Sequence, residues 1–240
     1  MGEAAALNNL GRVCGALGQK EEEQQYYERA LQINRQVGDR QGEGVTLNNL
    51  GRVFDDLEEH TKAKAVFEQA LRIFQELGRS KGEGWTLNNL GKTYDALGDK
   101  EQARHYLEKA LTIRREVDRR GEGRTLNNLG AVYAHLEQPD RAMACYQEAL
   151  NVVRDVGDHE GEGKTLRNIG MFFFKQQRYE VALAALLLAK QILDELQSPY
   201  RYSTQECMDA IRKAIGEEQF VAIVKQIELG ATQLVTQALA

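Results

Sequence analysis

The chain has 240 residues, 42% of them hydrophobic and 28% charged, with a formal net charge of −5. That profile fits an ordered chain long enough to bury a substantial core, and without a basic tail or a Lys/Arg cluster it excludes nucleic acid as the expected partner. Only two prolines and no alternating runs of Val, Ile and Thr exclude a strand-rich fold and predict an all-α one.

Three cysteines, Cys14, Cys145 and Cys207, are far apart and odd in number, which fits a reducing cytoplasm and not a disulfide framework. They show no metal-ligand spacing, and no cofactor is expected. The opening MGEAAALNNLG lacks a basic region followed by an apolar one, so no signal peptide is expected. The longest apolar run, VALAALLLAKQIL at 181–193, is too short and interrupted to cross a bilayer. It predicts a helix buried on most sides, and no membrane partner.

A hexapeptide organises the chain. ALNNLG at 6–11 returns as TLNNLG at 46–51, 86–91 and 125–130, and as TLRNIG at 165–170. Its first leucine falls at 7, 47, 87, 126 and 166, spacings of 40, 40, 39 and 40. A fixed period of that length predicts stacked units, not one central core. The single 39 arises where LGRSKGEG becomes VDRRGEG, one loop residue shorter, which marks a connection between helices.

In chain order, the first unit (about 1–38) begins inside the pattern, and its second helix opens with the polar KEEEQQ, suited to a terminal repeat facing water. The unit at 39–78 shows the plan most clearly. Gly38-Asp39 reads as a helix stop followed by an N-cap. Leu47, Leu50 and Phe54 then share one helical face, EEH interrupts, and Ala63, Phe67, Ala70, Leu71 and Phe74 share a second face before Gly78. Two antiparallel helices of roughly 16–18 residues follow. Units at about 79–117, 118–157 and 158–198 repeat the plan, the third with Gly98-Asp99 at its inner turn. Gly51, Gly91, Gly130 and Gly170 lie mid-helix, where glycine costs about 1 kcal/mol relative to alanine, so a close helix approach opposite Ala63, Ala103, Ala142 and Ala182 is expected. The GEG glycines that open each unit have no full explanation in the sequence. Past Ser198-Pro199, residues 199–240 predict a helical cap, beginning at a capping-box-like Ser203…Glu206 and placing Met208, Ile211 and Ile215 on one face.

The pattern L-x2-L-G-x2-[FY], then Ala, an aromatic or Leu four on, and Ala three on, resembles the tetratricopeptide repeat (TPR) family; Leu47, Leu50, Gly51, Phe54, Ala63, Phe67 and Ala70 fill every place. Two features depart from the usual repeat: the period is 40 in place of 34, and the closing proline is missing. Such long units look like those of kinesin light chains, Pins-type adaptors and bacterial signalling arrays. The resemblance implies an α-solenoid, a right-handed superhelix of five helix-turn-helix units over 1–198 with capping helices at 199–240, whose first helices line a concave groove.

Stacking would turn repeated letters into ladders. The inner one is Asn9, Asn49, Asn89, Asn128 and Asn168; the outer is Asn8, Asn48, Asn88, Asn127 and then Arg167. A carboxamide offers both a donor and an acceptor, as an extended peptide backbone does, and similar groove ladders grip backbone in this family. The competing use is bridging between repeats or capping local backbone. Beside the ladders run Arg12, Arg52 and Lys92, then Trp85, Arg124, Lys164 and Arg167, which would suit an acidic protein or peptide with an apolar anchor. Arg52 and Lys92 have an alternative in pairing with Asp55, Asp56 and Asp95 one turn away.

GDHEGEGKT at 157–165 fails as a phosphate loop, because Asp158 stands where glycine is required and helices flank it. The four histidines occupy unrelated positions and no catalytic constellation recurs, so no enzyme is expected. The expected function is a protein–protein interaction scaffold; the alternative is a structural spacer or oligomerisation module, self-associating through the C-terminal helices or the open N-terminal repeat.

Overall fold

Glycine followed by aspartate punctuates the helices because a left-handed residue ends one and a carboxylate caps the next. Gly38 has φ 72° and donates its N–H to the Arg35 carbonyl, while Asp39 accepts from the Gly42 N–H at 2.8 Å. Asp99 and Asp158 cap in the same way, accepting from Gln102 and Gly161. Where glycine is absent from the tight inner turn, Glu58, Glu137 and Gln177 adopt φ of 60°, 56° and 60° instead.

The computed structural model describes residues 2–227 and 230–239; these form thirteen α-helices and no strand. Contacts divide them into two compact units, residues 1–118 and 119–240. The N-terminal unit holds three antiparallel pairs: α1 (Gly2–Ala16) with α2 (Lys20–Val37), α3 (Arg40–Asp56) with α4 (His60–Glu76), and α5 (Ser80–Ala96) with α6 (Lys100–Val117). The C-terminal unit holds α7 (Arg119–His135) with α8 (Pro139–Asp155) and α9 (His159–Lys175) with α10 (Tyr179–Glu195), then α11 (Tyr200–Ile215), α12 (Glu217–Ile227) and α13 (Ala231–Leu239). None of the described helices is long and apolar enough to cross a membrane.

The glycines mark where helices nearly touch. A Cβ on Gly51 would stand 2.5 Å from the Phe67 ring, and one on Gly170 2.6 Å from Leu186. The close partner is therefore the large side chain of the second helix, not the alanine expected from the sequence; alanine contributes only backbone, as at the Ala182 carbonyl, which a Cβ on Gly170 would meet at 3.1 Å. The GEG pair has the same kind of reason. A Cβ on Gly82 would meet Phe74 of the preceding helix at 2.5 Å, and one on Gly84 would meet Ile113 of its own partner helix at 3.2 Å. The start of α5 is thus wedged between α4 and α6.

Two local expectations change. Glu23 does not face water: it is buried, fills the space over Gly15, and pairs with Lys20 at 3.0 Å. Ser203 does not cap a helix start, because α11 begins three residues earlier and Ser203 donates to the Tyr200 carbonyl from inside it.

Candidate interaction surface

Within the N-terminal unit α1, α3 and α5 pack side by side, and the repeated asparagines lie at their contacts. The Asn49 side-chain amide donates to Asn8 Oδ1 at 3.4 Å, and that of Asn89 donates to Asn48 Oδ1 at 3.2 Å. In the C-terminal unit Asn168 donates to Asn127 Oδ1 at 3.1 Å. Each bond joins an inner amide to the outer amide of the preceding first helix. Asn49 and Asn89 are only 5% and 7% exposed. Of the two uses the sequence leaves open, these amides have the bridging one in place. Asn128 and Asn168 are half-buried, and Asn9 is exposed and makes no side-chain hydrogen bond among the described residues.

Cations of the N-terminal unit are placed differently. Arg12, Arg52 and Lys92 sit at one register on α1, α3 and α5, all exposed. The sequence left pairing with nearby aspartates open; the structure sends those carboxylates elsewhere. Asp55 accepts from Thr93 Oγ1 at 2.7 Å and bonds His60 Nδ1 at 3.1 Å. Asp56 pairs with Lys20 at 2.6 Å, and Asp95 with Lys100 at 2.9 Å. Among the described residues, the side chains of Arg12, Arg52 and Lys92 have no hydrogen bond and no ion pair. Burial is the chief reason that the hydroxyl pKa of the buried Tyr27 is pushed up to about 12, although the charges of Arg52 and Arg12 act on it in the opposite sense. Trp85 stands on α5, 39% exposed.

The C-terminal unit does not offer its predicted cations in the same way. Arg124 donates to Asp158 at 3.1 Å. Lys164 pairs with Glu160 at 2.7 Å and lies 3.8 Å over the Tyr200 ring. Arg167 donates to Ser203 Oγ at 2.8 Å and to Asn168 Oδ1 at 3.4 Å. Two of these three reach α11, so they join helices and present less free charge than their sequence suggests.

A threonine series escaped the sequence reading. Thr46, Thr86, Thr125, Thr165 and Thr204 each donate Oγ1 to the carbonyl four residues back. Thr46 also accepts from Asn8 Nδ2 at 2.8 Å and from Asn34 Nδ2 at 3.0 Å, tying α1, α2 and α3 together. The signal was there: these threonines are spaced by 40, 39, 40 and 39 residues. The last belongs to α11, which packs on α9 and α10 as a further first helix would.

A family model described as "Tetratricopeptide repeat" matches residues 2–76, 43–116 and 122–195. No curated protein matches the chain significantly. Among solved structures, BtubC (BKLC) from P. vanneervenii is 26% identical, with a TM-score of 0.58 over 64% of this chain and 64% of that one. RapI in its apo form is 20% identical, with a TM-score of 0.73 over 99% of this chain and 85% of RapI. A Rap protein complexed with competence and sporulation factor is 17% identical, with a TM-score of 0.71 over 98% of this chain and 62% of its own. The chain thus spans less than two thirds of BtubC and of that second Rap protein.

Proposed function

The chain belongs to the tetratricopeptide repeat family, and from that premise we propose that it is a protein-interaction scaffold that takes an acidic, extended segment of a partner on the first helices of its N-terminal unit. The observation that carries this reading is the row Arg12, Arg52 and Lys92, three exposed cations whose neighbouring aspartates are bound to other groups. A charge row without internal partners attracts carboxylates and steers their approach. Trp85, exposed nearby on α5, gives an apolar anchor of the kind enriched at binding hot spots. The amide ladder holds the register of the wall, and Asn9 is the inner amide left to bond ligand backbone. A fold relative solved with a bound factor supports the reading by analogy of fold alone.

A fluorescein-labelled decaglutamate peptide tests it. Anisotropy at low ionic strength should report binding that weakens steeply with added salt. The triple variant R12E/R52E/K92E should lose it with its circular dichroism unchanged, since none of the three side chains makes a hydrogen bond or ion pair among the described residues. Equal binding by parent and triple variant would reject the reading.

A further inference from the structure

We infer that the cationic row of the N-terminal unit reads acidic side chains spaced three residues apart in a polyproline-II-like peptide. The inference rests on the proposed function and adds a spacing and a conformation to it. Arg12, Arg52 and Lys92 occupy one register of three helices, each 40 residues from the next. Those helices are direct neighbours, joined by the bonds Asn8–Thr46, Asn49–Asn8, Asn89–Asn48 and Thr93–Asp55. Packed helices stand roughly 8–10 Å apart, so the row offers one positive charge per about 8–10 Å along a line crossing the helices.

A ligand complementary to that row must return a carboxylate to the same side at the same interval. A polyproline-II chain has three residues per turn and rises about 3.1 Å per residue, so residues i, i+3 and i+6 recur on one side every ~9.3 Å. A β-strand returns to one face every ~6.6 Å or ~13 Å and falls out of step with the second cation. An α-helix returns after seven residues at ~10.5 Å, which is close in length. It is disfavoured because its backbone N–H and C=O groups are bonded internally and offer nothing to Asn9, although Trp85 on α5 and Leu10 and Val13 on α1 expose apolar side chains that a helix would contact. A polyproline-II backbone carries unpaired N–H and C=O groups, which Asn9 can bond.

Four peptides of equal charge and length separate the outcomes. One has glutamates at positions 1, 4 and 7 with proline and serine between them; one has glutamates at 1, 3 and 5; one is a scrambled acidic control; one is an alanine-rich helix with glutamates at 1, 8 and 15, the others being extended to match its length. Calorimetric titration of the full chain should give the 1,4,7 peptide about tenfold tighter binding than the 1,3,5 and scrambled ones, because two of three exposed charge pairs are lost out of step. A swap adds a second readout: R52E should weaken the 1,4,7 peptide and recover binding when lysine replaces its middle glutamate. Equal, salt-sensitive affinity for all acidic peptides would overturn the spacing and leave the acidic-ligand reading standing. Tightest binding of the helical peptide would overturn the conformation. No binding by any acidic peptide above a neutral control would overturn the proposed function and this inference together.

Discussion

Thr46 holds three helices through one hydroxyl, accepting from Asn8 and Asn34 and donating to the Gly42 carbonyl. Thr46→Val keeps the shape and removes the oxygen, leaving the buried Asn34 amide without that acceptor. A buried polar group stripped of its partner costs about 1–3 kcal/mol, so urea denaturation of Thr46→Val should show a loss of about 2 kcal/mol. Glu43 gives a pH signature at the same scale. It lies between Arg35 at 2.8 Å and Arg40 at 2.6 Å. Burial pushes its carboxyl pKa up, and the hydrogen bonds from the two arginines outweigh this and leave it below the ordinary 4.5. The folded state therefore holds its proton less tightly than the unfolded chain does. The stabilisation is complete above pH 4.5 and is lost as pH falls through the folded-state value. Melting temperatures taken from pH 6 down to pH 3 should fall less for Glu43→Gln than for the parent, by the equivalent of about 1 kcal/mol for pairs with half-exposed arginines. The sequence displayed the asparagines because they recur in a conspicuous hexapeptide. It hid their use, because an amide that bridges repeats and one that grips a ligand are spelled alike. The free cations were equally ambiguous: nothing in RVFDD tells that Asp55 turns to Thr93 on the next first helix.

At the scale of the element, helix positions were legible because the 3.6-residue periodicity and the Gly-Asp punctuation agree. What escaped was conformation inside the turns. Glu58 occupies the place that Gly18 and Gly98 fill in neighbouring repeats, and it takes the same left-handed backbone at φ 60°. A side chain in that region costs energy that glycine avoids. Among the described residues Glu58 makes no hydrogen bond through its side chain, so the cost has no offset there. Glu58→Gly should stabilise the chain by about 0.5–1 kcal/mol, read as a higher urea midpoint at unchanged slope, while Gly98→Ala should lose a similar amount. The start of α11 was misplaced for a related reason. Ser203…Glu206 has the letters of a capping box, yet Pro199 is better suited to a helix entry, and the helix forms around it at Tyr200.

For the molecule as a whole, the repeat continues past the point where its letters stop. Thr204 repeats the threonine bond 39 residues after Thr165, and Met208 and Ile211 are buried where the hexapeptide has vanished. The effect is visible on α10. In α4 the face beyond Ala63 includes an exposed Ala65, whereas in α10 every residue from Val181 to Leu186 is buried, because α11, α12 and α13 all pack on it. The apolar run that looked anomalous in the sequence is therefore the footprint of the last three helices. Removing residues 199–240 should bare that face, along with Lys164 and Arg167, which lose Tyr200 and Ser203. Each buried aliphatic or aromatic side chain contributes about 1.5–3 kcal/mol before ordering costs, so the truncated chain should melt more than about 5 °C lower. It should also sediment as larger species, since a wide apolar surface left open invites association. A truncated chain that melts with the parent and stays monodisperse would mean that α10 does not need its cover, and that its six consecutive buried residues have some other cause.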